Sequence, residues 1–167
     1  MKRIYKILIC ILLVAAALFA LASCDDKPQP KQLTDLTLPA LKDNQMAVII
    51  KNGDKDYTSY TVNLNKVDGE KKTVEDVLAY LKNEAELVLE WNDGTFGKFI
   101  TAIGGIKPAS ISQWVTVLTS NKSYQDNDSA YSLTYTVGDV KLVSAMVGVS
   151  YMEAQAGDVV YFELAGF

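Results

Sequence analysis

One stretch of this chain has a helical period, and nearly everything around it alternates with a period of two. That contrast sets the fold class. Thr73 is a good helix N-cap, and Asp76 three residues on approximates a capping box. Val74, Val77, Leu78 and Leu81 then fall on one helical face. The spacing predicts a helix over residues 73–83. Tyr60, Val62 and Leu64 alternate with Ser59, Thr61, Asn63 and Asn65, as a half-buried strand does. Leu87, Leu89 and Trp91 repeat the pattern, and so do Tyr131, Leu133 and Tyr135. Further strands are expected over 46–52, 98–103, 114–118, 140–143 and 159–164. Asn52-Gly53, Asp68-Gly69, Asn92-Asp93-Gly94, Gly104-Gly105, Gly138 and Gly157-Asp158 punctuate them as turns. One helix among many strands is an α+β arrangement. Two strands, a helix and then more strands is the order of a β-grasp-like sheet packed on a single helix.

The N-terminus has another character. Lys2, Arg3 and Lys6 precede an apolar run from Ile7 to Ala22, which closes on Leu21-Ala22-Ser23-Cys24. The run is short for a membrane span and ends on small residues, as a cleaved secretory signal does. Leu-Ala-Ser-Cys resembles the bacterial lipobox, in which the cysteine is acylated. The expected organisation is a lipoprotein signal peptide at 1–23, a lipidated tether at 24–45 and a domain at 46–167. The other reading of the run is an uncleaved N-terminal anchor. Either places the domain at the cell membrane, on its extracytoplasmic face. Asp25, Asp26, Lys27, Pro28, Gln29 and Pro30 favour extended, solvated backbone. Leu33, Leu36, Leu38 and Leu41 are out of character for a tether and offer a short strand or turn that docks on the domain.

Composition narrows the chemistry. The formal net charge is −4, and losing Lys2, Arg3 and Lys6 with the signal makes it more negative. That disfavours nucleic acid and anionic lipid headgroups as partners, so attachment falls to acyl chains. Of the two cysteines, Cys10 lies in the signal and Cys24 is the expected lipid site, which leaves none for a disulfide. Histidine is absent, which removes Ser-His-Asp and Cys-His catalysis as usually built and the commonest zinc ligand. No enzymatic activity is expected, and no metal.

Several blocks have a familiar look. Thr73-Val74-Glu75-Asp76-Val77-Leu78 is followed by Phe96-Gly97-Lys98-Phe99-Ile100-Thr101-Ala102-Ile103-Gly104-Gly105-Ile106 and Gln113-Trp114. Ser144-Ala145-Met146-Val147-Gly148-Val149-Ser150 and Gly157-Asp158-Val159-Val160-Tyr161-Phe162 complete the set. Together they resemble the transcobalamin C-terminal-like domain (DUF4430), over about residues 70–165. That domain is similar to the small β-domain of the cobalamin carriers transcobalamin and intrinsic factor, and bacterial surface lipoproteins often carry it. The resemblance implies a β-grasp-like fold that binds a small ligand, with cobalamin or a related corrinoid as the specific candidate. By position it implies contacts at Phe99, the Gly104-Gly105-Ile106 turn, Trp114, Leu118, and Gly148, Val149, Ser150 and Tyr151. The carriers clamp cobalamin against a large helical domain, and no such second domain is expected from residues 1–167. A protein partner supplying a second lobe of an envelope or transporter complex is therefore the alternative function.

The residues themselves keep other readings open. Trp114 is either a stacking platform for a flat ligand or a core side chain. Trp91 reads as core. Gly104-Gly105 reads as a turn needing positive φ, as a close approach for a ligand, or as both. Tyr124, Asp126, Asn127, Asp128 and Tyr131 read as a solvated loop without the spacing of a calcium loop. The acidic residues single out no carboxylate pair of the kind a glycosidase needs.

Overall fold

The computed structural model describes residues 31–95 and 97–166. The signal, Cys24 and residues 25–30 lie outside the described residues, so those expectations meet no structural test.

Among the described residues the fold is mostly sheet with one α-helix, an α+β arrangement. A seven-stranded sheet has the order β1-β7-β8-β6-β9-β2-β3. The strands are β1 (Lys31–Gln32), β2 (Gln45–Lys51), β3 (Tyr57–Asn63), β6 (Gln113–Thr119), β7 (Thr134–Val137), β8 (Val140–Ser144) and β9 (Val159–Gly166). A separate hairpin joins β4 (Leu89–Gly94) to β5 (Gly97–Ile103). At the centre β2 runs parallel to β9, with Ala47 opposite Val159 and Ile50 opposite Phe162. Around this pair the β2–β3, β6–β9, β6–β8 and β7–β8 contacts are antiparallel.

Helix α1 (Val74–Glu84) forms where the spacing predicts it, one residue displaced at each end. The Thr73 hydroxyl accepts from the Asp76 N–H at 3.3 Å, and the Asp76 carboxylate accepts from the Thr73 N–H at 2.8 Å. This reciprocal box satisfies donors that a helix start otherwise leaves free. Val74, Val77, Leu78 and Leu81 are buried, each worth roughly 1.5–3 kcal/mol of apolar transfer. Thr73→Ala is expected to lower stability by about 1 kcal/mol, read as a shift of the urea midpoint at unchanged m value.

Met46, Ala47, Val48, Ile49 and Ile50 are all fully buried, because β2 is covered on both faces of the sheet. Central strands with a parallel neighbour read as continuous apolar runs for this reason. On the front face Met46, Val48, Ile50, Val160 and Phe162 pack with α1 and with Ile100 and Ile103 of the hairpin. On the back face Ala47, Ile49, Leu118, Val159 and Tyr161 pack with Leu33 and Leu36, while Leu38 and Leu41 lie partly buried against them.

The back face brings in residues that the sequence placed ahead of the domain. β1 pairs in parallel with β7, Lys31 opposite Tyr135 and Gln32 opposite Thr136, and the Leu33 N–H donates to the Thr136 carbonyl at 2.9 Å. The chain then crosses the back of the sheet before entering β2. Of the two options for the four leucines, a strand or turn that docks is the one realised. The helix is therefore one of two covers of the sheet.

Candidate binding groove

β6 and β9 pair with Trp114 opposite Ala165 and Thr116 opposite Glu163, so these four residues share the back face. Beyond the reach of Leu33 and Leu36 that face lies open. The small residues Ala165 and Gly166 leave the indole of Trp114 standing beside a groove of about 410 Å³. Thr116, Tyr131, Leu133 and Ser144 complete its walls. Leu133 is held there by its own backbone. Its N–H donates to the Ser144 hydroxyl at 2.9 Å, and its carbonyl accepts from the Ser144 N–H at 3.0 Å. Tyr131 stands at the mouth, 88% exposed. Between Tyr131 and Leu133, the buried Ser132 hydroxyl oxygen has no hydrogen-bond partner among the described residues. An apolar concavity with a few polar atoms is the usual make-up of a small-molecule site.

Next to the groove the back face carries a buried carboxylate. Glu163 accepts hydrogen bonds from the Tyr135 hydroxyl and, at 3.3 Å, from the Tyr161 hydroxyl, and Lys51 Nζ lies 3.4 Å away. The two tyrosine rings meet edge to face with centroids 5.8 Å apart. Burial raises both phenol pKa values well above the ordinary range, and the Glu163 charge raises them further. Asp158 is raised by burial too, opposed by hydrogen bonds from the Asn121 amide and the Gln155 N–H.

The other residues singled out by the sequence sit elsewhere. Gly104 and Gly105, at φ +57° and +96°, form a two-residue turn closed by mutual Ile103–Ile106 hydrogen bonds of 3.0 and 2.9 Å. A Cβ on Gly104 would come within 2.7 Å of the Ile50 Cδ1, so the turn lies directly on the front core. The turn reading holds, and the open space of the pair lies at Gly105. Ile106, Leu118 and Val149 are core side chains.

Gly148, Val149, Ser150 and Tyr151 form a loop between the start of β5 and the start of α1. Ser150 Oγ accepts from the Lys98 N–H at 2.8 Å, and a Cβ on Gly97 would collide with Ser150 Oγ at 2.5 Å. The carbonyls of Val149 and Met152 accept from the N–H groups of Glu75 and Val74, at 3.0 and 2.8 Å. The loop thus completes the helix cap, a structural role that no local sequence signal shows. Phe99 and Tyr151 are 57% and 58% exposed. Of the sequence candidates, Trp114 alone lines the groove. Thr116, Leu133, Ser144 and Ala165 were missed because four separate segments must come together before they share a surface. Trp91 packs partly against the front core, with Lys82 and Lys98 Nζ 6.0 and 5.6 Å from its ring centroid.

No family model matches this chain, and no curated protein does. Solved structures do. One is a provisionally assigned metal-binding protein from Ruminococcus gnavus ATCC 29149, with 16% identity and a TM-score of 0.48. That match covers 75% of this chain and 99% of the other. A second is haptocorrin in complex with Cbi, with 10% identity and a TM-score of 0.41. It covers 76% of this chain, which spans only 26% of haptocorrin. Both likenesses are too distant to assign a ligand. Among the described residues, no three His, Cys, Asp or Glu side chains gather as metal ligands would.

Proposed function

We propose that this chain is a lipid-anchored, extracytoplasmic binding module with a β-grasp-like fold. It holds a small ligand with a broad apolar face, a cobalamin-like corrinoid, and performs no catalysis. The observation that carries the reading is the open groove beside Trp114. A flat ligand can lie against an indole over a large area at little entropic cost. The strand order β3-β2-β9-β6-β8, with β2 and β9 parallel, supports the β-grasp-like description. The two carboxylates withdrawn from water, Glu163 and Asp158, are both engaged by neighbouring donors, which favours structural roles for them. The signal-like run ending at Cys24 supports the anchor.

Equilibrium dialysis of the full chain in detergent micelles against cyanocobalamin tests the ligand, with empty micelles as the reference. Retention above that reference is expected, and Trp114→Ala should weaken it roughly tenfold, the loss of one good aromatic contact of about 1.4 kcal/mol. No retention at high micromolar cyanocobalamin would remove the corrinoid reading.

A further inference from the structure

The two edges of the main sheet are unlike each other. At one end β1 is two residues long. At the other, β3 presents seven residues, Tyr57–Asn63, and among the described residues pairs with β2 alone. Soluble proteins blunt such an edge with charged side chains, proline, bulges or a covering segment. β3 has no charged residue and no proline, and its register against β2 is unbroken over all seven positions.

Which backbone groups face outward follows from the hairpin. The Leu64 N–H donates to the Asn44 carbonyl at one end, and the Asn52 N–H to the Asp56 carbonyl at the other, both at 2.8 Å. Hydrogen-bonded pairs alternate along an antiparallel ladder. Thr58, Tyr60 and Val62 therefore bond to β2, and Tyr57, Ser59, Thr61 and Asn63 aim their N–H and C=O groups away from it.

We propose that this edge pairs with the β3 edge of a second copy of the chain, antiparallel and about a twofold axis at Tyr60. In that register Ser59 faces Thr61 of the second copy, and Tyr57 faces its Asn63. All four outward residues then sit at hydrogen-bonded positions, giving about eight backbone bonds across the seam. A twofold contact requires this self-complementarity, since each residue of the patch meets the same patch reversed. The flanks agree in charge. Asp54 lies in the turn before β3 and Lys66 in the 3₁₀ turn after it, and the twofold brings the first end of each copy's strand beside the second end of the other's. No like charges meet within the strand. A seam of one strand is small beside a standard interface, so the pairing is a weak one that depends on concentration. It is independent of what the groove binds.

Sedimentation equilibrium of the full chain in density-matched detergent, at high micromolar protein, tests the pairing. A two-copy mass is expected. Ser59→Lys with Thr61→Lys sets lysines opposite lysines across the seam. Both positions are exposed, so the two-copy species should be lost while the urea midpoint stays put. Ser59→Cys protein mixed with Thr61→Cys protein should form an intermolecular disulfide faster than either variant alone, because only the mixture places the thiols directly opposite, about 5.5 Å apart at Cα. A single-copy mass at this concentration, a two-copy mass that survives the lysine pair, or equal cross-linking in mixed and unmixed samples would each overturn the proposal.

Discussion

Replacing Leu33 and Leu36 together by alanine is expected to lower the unfolding free energy by about 4–6 kcal/mol. Both side chains are buried on the back of the sheet, against Ala47, Ile49, Leu118, Val159 and Tyr161. Removing a buried leucine side chain beyond Cβ costs its transfer free energy and leaves a cavity, about 2–5 kcal/mol for each site. The sum is comparable with the whole stability of a small domain. Urea denaturation of the full chain measures it, with the exposed Thr37→Ala as a control expected within about 0.5 kcal/mol of the parent. A loss below about 1 kcal/mol for the double variant would show that the segment before β2 is not part of the fold.

The second large effect is alkaline. Tyr135 and Tyr161 have phenol pKa values raised by burial and by the Glu163 carboxylate, from a reference of 10.0. A group whose folded pKa lies above its unfolded value contributes stability that is fully present below the unfolded value. That contribution is lost as pH rises toward the folded value. Here the loss begins near pH 10. Above it the unfolded chain gives up both protons and the folded chain keeps them. Stability should then fall by about 1.4 kcal/mol per pH unit for each phenol, about 2.7 for the pair. Urea midpoints measured between pH 9 and 11 read this slope (roughly one unit either side of the reference value). Tyr135→Phe should remove about half of it, because phenylalanine has no proton to lose. An identical slope in that variant would show that Tyr135 ionises as freely in the folded protein as in the unfolded one.

Much of the fold was legible because it is written locally. Thr73 and Asp76 announce the helix start, since a cap is a contact between residues three apart. The alternation of Tyr60, Val62 and Leu64 shows a strand with one wet face, and β3 follows it up to Asn63. Leu64, the last residue of that pattern, begins instead a short 3₁₀ turn. β7 begins at Thr134, so Tyr131 and Leu133 lie before the strand that their alternation predicted, as walls of the groove.

The sequence could not show burial from two sides. Residues 46–50 look like any β-former run until their neighbours are known, and only the cover on both faces of the sheet, α1 with the hairpin in front and Leu33 with Leu36 behind, explains why none of the five touches water. The same limit applies to the candidate contacts. Leu118 is in the core because Tyr161 and Ser144 flank it from two different strands. Val149 is in the core because its loop closes over the start of α1.

Periodicity, capping and turn chemistry act over a few residues, so the chain alone determined that there is one α-helix among the described residues, where most of the strands lie and which of their faces are apolar. Which strands became neighbours, that 31–41 became a second cover, and that Trp114, Leu133 and Ala165 became one groove were decided by the tertiary structure. Those outcomes depend on pairing between segments far apart in the chain, which no local pattern encodes.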